Sequence, residues 1–171
     1  MKKNILYLHG YNGSLTPAKQ TVLERFGYVM APSIVYDNPD YFNKLVVPAA
    51  TADIIIGSSF GGHTAHLLSL LYNKPALLFN PAFVTSIPNP DLSGFAFPHF
   101  KSSRTHIILG KKDDVIFYKD NLEYINRTIT QKDMSLISLE HLGHRIPEDV
   151  FAEQVATFME EVAAEPKTST H

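Results

Sequence analysis

Short apolar runs alternate along the chain with stretches in which apolar residues recur at helical spacing. Two of the runs, Ile54–Ile56 and Ile107–Leu109, are apolar without interruption. An unbroken apolar run is typical of a strand that is covered on both faces of a parallel sheet. The pattern predicts strands at about 4–8, 28–35, 53–57, 75–79, 104–109 and 134–139.

The stretches between these runs predict helices. In the last of them, Phe151, Val155 and Phe158 recur on one face, as in a helix that packs on a core. Pro17 and Pro147 stand where the first turn of a helix tolerates proline. The predicted helices lie at about 17–26, 40–50, 61–73, 115–127 and 147–163. Strands that alternate with helices predict a three-layer α/β/α sandwich whose mostly parallel sheet has about six strands.

The alternation favours one domain over residues 1–164, followed by a flexible tail at 165–171. One segment, 81–103, interrupts the pattern with four prolines and four phenylalanines. Long connections in compact domains often carry function. We therefore treat this segment as a candidate lid or substrate loop.

Composition narrows the class of protein. The net charge of −2 gives no electrostatic reason to expect nucleic acid or a membrane as a partner. The chain has no cysteine, which excludes thiolate chemistry and disulfides and suits a cytoplasmic protein. Because no metal, P-loop or dinucleotide motif occurs, we expect neither a metal nor a cofactor.

The segment Gly57-Ser58-Ser59-Phe60-Gly61 contains the pattern Gly-x-Ser-x-Gly. The pattern alone is weak, but here it follows a predicted buried strand and precedes an apolar helix. That is the setting of a nucleophile elbow, in which a tight turn presents the serine above the sheet. We predict Ser59 as the nucleophile and the Phe60 N–H as a donor to the oxyanion.

A serine nucleophile needs a histidine base and an acid that orients it, and this fold places them in the order serine, acid, histidine. Two acid candidates, Asp113 and Asp114, follow the fifth predicted strand, and two histidines, His141 and His144, follow the sixth. Asp113 is preferred because Asp114 directly precedes a helix and could cap it. His144 is preferred because it follows a glycine and immediately precedes the last helix.

The loop after the first strand should supply the second oxyanion donor. Gly10 gives that loop freedom, and the N–H of Tyr11 is the predicted donor. For the apolar part of a substrate, the candidates are Phe83, Phe95 and Phe97 in the long segment. The competing interpretation of these rings is that they seal the core beneath the loop.

These blocks resemble the α/β-hydrolase superfamily and, within it, the small bacterial esterases of the YqiA/YcfP type (UPF0227-like). The resemblance rests on the short blocks Leu8–Asn12, Ile56–Gly62, Asn80–Ala82, Gly110–Val115 and Gly143–His144. It implies esterase or thioesterase activity without a cofactor, with Ser59, Asp113 and His144 as the triad. Phe60 departs from the leucine that such proteins usually carry.

The sequence therefore predicts a serine hydrolase that cleaves a small acyl ester or thioester through an acyl-enzyme intermediate. Two alternatives stay open: a non-catalytic binding protein with the same fold, and a peptidase with the same triad. The sequence does not indicate an oligomeric state.

Overall fold

Six strands pair side by side in one sheet in the computed structural model, which describes residues 1–100, 103–129 and 133–165. Their order across the sheet is β2-β1-β3-β4-β5-β6, and every pair is parallel. The strands are β1 Lys3–Leu8, β2 Gly27–Met30, β3 Ile54–Ser58, β4 Ala76–Phe79, β5 Thr105–Gly110 and β6 Met134–Leu139.

Helices cover both faces of this sheet. They are α1 Pro17–Glu24, α2 Tyr41–Thr51, α3 Phe60–Tyr72, α4 Tyr118–Thr128 and α5 Glu148–Ala164. Buried residues of α2, α3 and α4 share one apolar cluster with one face of the strands, and those of α1 and α5 share a second cluster with the other face. The predicted three-layer α/β/α sandwich is confirmed, and the sheet is wholly parallel in the part of the chain described.

Two element boundaries differ from the prediction for local physical reasons. The second strand ends at Met30, well before the expected residue 35, because Pro32 has no N–H to donate to a ladder. The fourth helix begins at Tyr118 because Asp113 Oδ1 accepts hydrogen bonds from the N–H groups of Val115 and Ile116, both at 2.9 Å. Those bonds hold the preceding residues in a turn.

The pairing register brings the carboxyl ends of neighbouring strands to one edge of the sheet. Gly57 pairs with Leu8 on one side and Leu78 on the other, and Gly110 pairs with Leu139. Open parallel sheets bind ligands at this edge. All predicted catalytic residues follow strand ends that open onto it.

The predicted lid or substrate loop contains no helix or strand at residues 81–100 and 103, and residues 101–102 lie outside the description. Of the predicted tail, Glu165 is described: its carboxylate accepts a hydrogen bond from Arg104 Nε at 2.8 Å. Residues 166–171 lie outside the described ranges. Within those ranges, no helix has the length and apolar character needed to cross a membrane.

A substitution at Gly57 tests how closely β3 approaches α3. A Cβ at this position would lie 2.2 Å from the carbonyl oxygen of Gly61, which is backbone and cannot swing away. We expect Gly57→Ala to lower the free energy of unfolding by about 3 kcal/mol, the upper part of the range for overpacking. Urea unfolding measures the change.

Gly94→Ala is the matched control, since a Cβ there would meet nothing within 4 Å. It should change stability by no more than about 0.5 kcal/mol. Equal unfolding midpoints for the two variants would contradict the close approach seen at Gly57.

Candidate active site

Ser59 occupies a strained turn between β3 and α3. Its φ of 57° and ψ of −122° lie where residues other than glycine are rarely found and persist only when the surroundings hold them. Two hydrogen bonds to the end of β4 and the segment after it stabilise this conformation. Ser59 N–H donates to Phe79 O at 2.9 Å, and Ser59 O accepts from Ala82 N–H at 2.8 Å. Gly61 completes the turn because a Cβ there would lie 2.2 Å from Leu8 O.

Asp113 and His144 are joined at the ends of β5 and β6. The His144 Nδ1 lies 2.9 Å from Asp113 Oδ2 and 3.0 Å from Oδ1. The Asp113 side chain is buried, whereas the His144 ring is partly exposed. Because a carboxylate only accepts, Nδ1–H is the donor, which leaves Nε2 of a neutral ring free to take a proton.

The competing candidates lie elsewhere. Asp114 and His141 are both exposed, and the ion pairs of the described residues include Asp113 with His144 but neither of these two. The geometry therefore favours the preferred member of each pair.

Asn80, at the end of β4, binds the loop that carries the histidine. Its side chain is buried and its φ is 40°. Nδ2 donates to Gly143 O at 2.8 Å and to His144 O at 3.1 Å, and Oδ1 accepts from Gly110 N–H at 2.7 Å. One amide thus joins the ends of β4 and β5 to the loop that follows β6. Asn80 entered the sequence-based prediction only through a resemblance; an asparagine before a proline after a buried strand was the available signal.

The two predicted oxyanion donors come from different segments. Phe60 directly follows Ser59 in the chain, and Tyr11 lies in the loop after β1. Phe60 is the first residue of α3, so its N–H has no acceptor within that helix, and its ring is buried against Tyr36. Tyr11 follows Gly10, where a Cβ would stand 3.3 Å from the Ser59 Cβ. The main chain at Gly10, the residue before Tyr11, therefore passes close to the serine.

A cavity of about 1240 Å³ opens over these residues, lined by Ser59, His144, Tyr11 and Phe60 among others. No hydrogen bond joins Ser59 to His144 in the described part of the chain. Contacts of this kind often tighten only when substrate is bound. The structure therefore brings the serine and the Asp113–His144 pair to one cavity without joining all three.

The three candidate substrate-binding phenylalanines do not line this cavity. Phe83 is buried, with its ring against His66 and stacked on Tyr124. Phe95 packs edge-on against Phe42, with ring centroids 5.2 Å apart. Phe97 is half-buried outside the cavity. At Phe83 and Phe95 the geometry fits the competing interpretation, that the rings seal the core under the loop.

The apolar wall of the cavity comes from other residues. Two surface turns supply it: Val84 and Ile87 from the segment after β4, and Val115, Ile116 and Phe117 from the segment after β5. Val115 and Phe117 are 60% and 61% exposed. This wall was not predicted from the sequence, because valine and isoleucine in a loop carry no distinctive pattern.

Two buried histidines outside the pair, His9 and His63, have structural contacts. His9 accepts a hydrogen bond from Ile34 N–H at its Nε2, at 2.8 Å, and its Nδ1 lies 2.6 Å from Gly10 O. His63 packs between Phe60 and Phe83, and burial lowers its pKa. Neither ring is placed to serve as the base.

The sheet order, the two covering layers and the strained serine turn define an α/β-hydrolase fold. The chain belongs to the uncharacterised protein family UPF0227, whose model matches residues 4–95. No curated protein matches the chain in sequence.

Solved structures with low sequence identity share the fold. A protein from Xanthomonas campestris assigned to the α/β superfamily of hydrolases is 19% identical, with a TM-score of 0.68, over 96% of this chain and 100% of that one. Mouse alpha/beta hydrolase domain-containing protein 10 is 14% identical, with a TM-score of 0.66, over 95% and 91%. Esterase PE8 is 18% identical, with a TM-score of 0.61, over 94% and 93%.

Asn80 and Asn73 provide a matched test of the buried amide. Both have positive φ, 40° and 52°, so glycine suits both backbones. Asn80→Gly also removes three side-chain hydrogen bonds at a buried position. We expect it to cost about 2 to 4 kcal/mol of unfolding free energy, since buried groups lose their partners.

Asn73→Gly at the exposed end of α3 removes the exposed hydrogen bonds that Asn73 Oδ1 accepts from the Ser103 N–H and hydroxyl, both at 3.1 Å. Because water can replace exposed partners, this variant should change the unfolding free energy by less than about 1 kcal/mol. Chemical denaturation of both variants gives the comparison. A similar loss in the two would show that the buried amide contributes little.

Proposed function

We propose that this protein is a serine hydrolase that cleaves carboxylic esters or acyl thioesters, with Ser59 as nucleophile, His144 as base and Asp113 as the orienting acid. The observation that carries the proposal is the Asp113–His144 hydrogen bond at 2.9 Å beside a cavity that also exposes the strained Ser59. A structural turn has no need of a strained serine next to an oriented imidazole.

In the proposed reaction, Ser59 Oγ forms a bond to the acyl carbon while its proton passes to His144 Nε2. Asp113 stabilises the imidazolium that results, because its buried carboxylate already accepts a hydrogen bond from Nδ1. The N–H groups of Phe60 and Tyr11 are proposed to receive the negative oxygen of the tetrahedral intermediate.

The intermediate then collapses and the bond to the alcohol or thiol breaks, with His144 returning its proton to the leaving group. A water molecule next attacks the acyl carbon of the ester on Ser59, again giving its proton to His144. Breakdown of the second intermediate releases the acid and restores the Ser59 hydroxyl. No cofactor enters these steps.

The apolar wall favours a substrate with a hydrocarbon portion. Val84, Ile87 and Phe117 line the cavity that exposes Ser59, and burial of methylene groups against them would contribute about 0.8 kcal/mol each.

A cytoplasmic location, expected from the sequence, remains part of the proposal.

Ser59 is tested by labelling. A fluorophosphonate should add one phosphonyl group to the protein, and peptide mass mapping should place it on Ser59. Ser59→Ala should abolish the adduct and lower turnover of an activated ester by on the order of 10⁴- to 10⁶-fold. Ser58→Ala is the control, because the adjacent hydroxyl belongs to β3 and not to the turn.

An unlabelled Ser59 in folded protein would favour the non-catalytic binding protein. Labelling of Ser59 with cleavage of amides in preference to esters would favour a peptidase.

The acid is tested by a pair of neighbouring substitutions. Asp113→Asn keeps an oxygen for the Val115 and Ile116 N–H groups but replaces the charge beside His144. We expect kcat to fall by about 10³- to 10⁴-fold, because the ring is no longer held in the required tautomer. Asp114→Asn, one residue away and exposed, should change kcat by less than about twofold.

Steady-state kinetics on one ester gives both values. A larger effect at Asp114 than at Asp113 would contradict the assignment of the acid.

A further inference from the structure

Two cationic side chains, Lys19 and Arg145, line the same cavity as Ser59 and His144. Lys19 lies in the first turn of α1, and Arg145 precedes the start of α5. Neither forms an ion pair within 4 Å in the described part of the chain, where the acidic partners found belong to other cations. Positive charge therefore faces the cavity without a direct counter-ion.

The position of Lys19 is held by packing. Its Nζ lies 5.3 Å from the centroid of the Phe151 ring, where a cation is attracted by the ring face. Burial lowers the pKa of Lys19; nearby Glu148 raises it, and the like charge of Arg145 lowers it further. The two cations are thus close enough to repel each other.

The first turn of α1 is an unfavourable place for a lysine. The N-terminus of a helix carries partial positive charge, which acidic side chains normally offset. The first turn of α1 has no acidic residue, whereas α5 has Glu148 and Asp149 in its first turn. The chain as a whole has a net charge of −2, so the two cations, Lys19 and Arg145, are a local feature of the cavity lining.

From this arrangement we infer that Lys19 and Arg145 form a subsite for an anionic group on the ester substrate, in the same cavity as the apolar Val84 and Phe117. The inference rests on the proposed function and specifies its substrate class: an amphiphilic ester with a hydrocarbon portion and an anionic oxygen group. Glu148, which also lines the cavity, limits the positive potential and so tunes the preference for charge.

The experiment compares anionic esters with neutral partners of similar size in two arms. For charge on the acyl side, mono-4-nitrophenyl glutarate is compared with 4-nitrophenyl pentanoate. For charge on the leaving group, 3-carboxy-4-nitrophenyl butyrate is compared with its 3-carboxamide analogue. At low salt we expect kcat/KM to be about tenfold higher for the anionic ester than for its neutral partner in one of the two arms. A difference of about tenfold is what one charge-assisted hydrogen bond would give.

Two substitutions should move this preference in opposite directions. Lys19→Gln combined with Arg145→Gln should abolish it, and Glu148→Gln should increase it by about twofold to fivefold. Arg145→Gln alone serves if the double variant does not fold, since Arg145 is exposed. The charge-matched control is Lys2→Gln, at the opposite edge of the sheet, which should leave the preference unchanged.

Binding is measured separately from turnover. In the Ser59→Ala variant, monomethyl glutarate should bind more tightly than dimethyl glutarate in an NMR titration. Adding Lys19→Gln and Arg145→Gln to this variant should remove the difference. This arm reports on the subsite even if the protein hydrolyses no ester.

Equal kcat/KM for charged and neutral esters in both arms, with Ser59 active, would overturn the subsite and leave the hydrolase proposal intact. A preference that survives loss of both cations would also overturn it. Absence of hydrolysis with selective binding of the anion would instead refute the proposed function and support the subsite.

Discussion

The end of β4 and the short segment after it connect the Ser59 turn to the loop that carries His144. Phe79 and Ala82 bind the main chain of Ser59 through its N–H and its carbonyl, and Asn80 between them binds the main chain of the His144 loop. A backbone conformation such as that of Ser59 costs about 1 to 3 kcal/mol and lasts only where several bonds enforce it. The central position of β4, with β3 on one side and β5 on the other, allows one segment to reach both.

This arrangement explains why glycines surround the turn. The third strand, its helix and the first strand approach so closely that a Cβ at Gly57 or Gly61 would overlap backbone atoms. The same holds at Gly110, where a Cβ would lie 2.4 Å from Leu142 O in the loop that leads to His144. The distances that bring nucleophile, acid and base to one edge are thus set by main chain against main chain, which deforms little.

Much of the fold and part of the site can be derived from the sequence, since each derivation needs only local information. Ile54–Ile56 marks a buried strand by its composition, and the chain order of Ser59, Asp113 and His144 requires only that successive strands end at one edge. Asp113 was preferred over Asp114 because Asp114 was expected to cap the following helix. That helix begins only at Tyr118, so the preference rests instead on the buried Asp113 side chain, which meets His144.

Other features depend on the paths of the loops, which the hydrophobic periodicity of the sequence does not indicate. The sequence left two interpretations of the phenylalanines in the long segment, cavity lining or a seal on the core. Phe83 lies outside the cavity, with its ring against His66 of α3. Asn80 was noticed only by resemblance, since its value comes from three partners distant in the chain.

The site divides into a deep part and an outer part with different physical origins. The deep part, around Ser59 and Asn80, consists of backbone held by backbone and by one buried amide. The outer part consists of side chains on turns and helix ends, among them the apolar Val84 and Phe117 and the cationic Lys19 and Arg145. On the proposed function, substitutions in the outer part would alter the contacts with substrate, while the hydrogen bonds around Ser59 and Asn80 keep the serine and the His144 loop in place. Selectivity is therefore expected to vary with the side chains of the outer part.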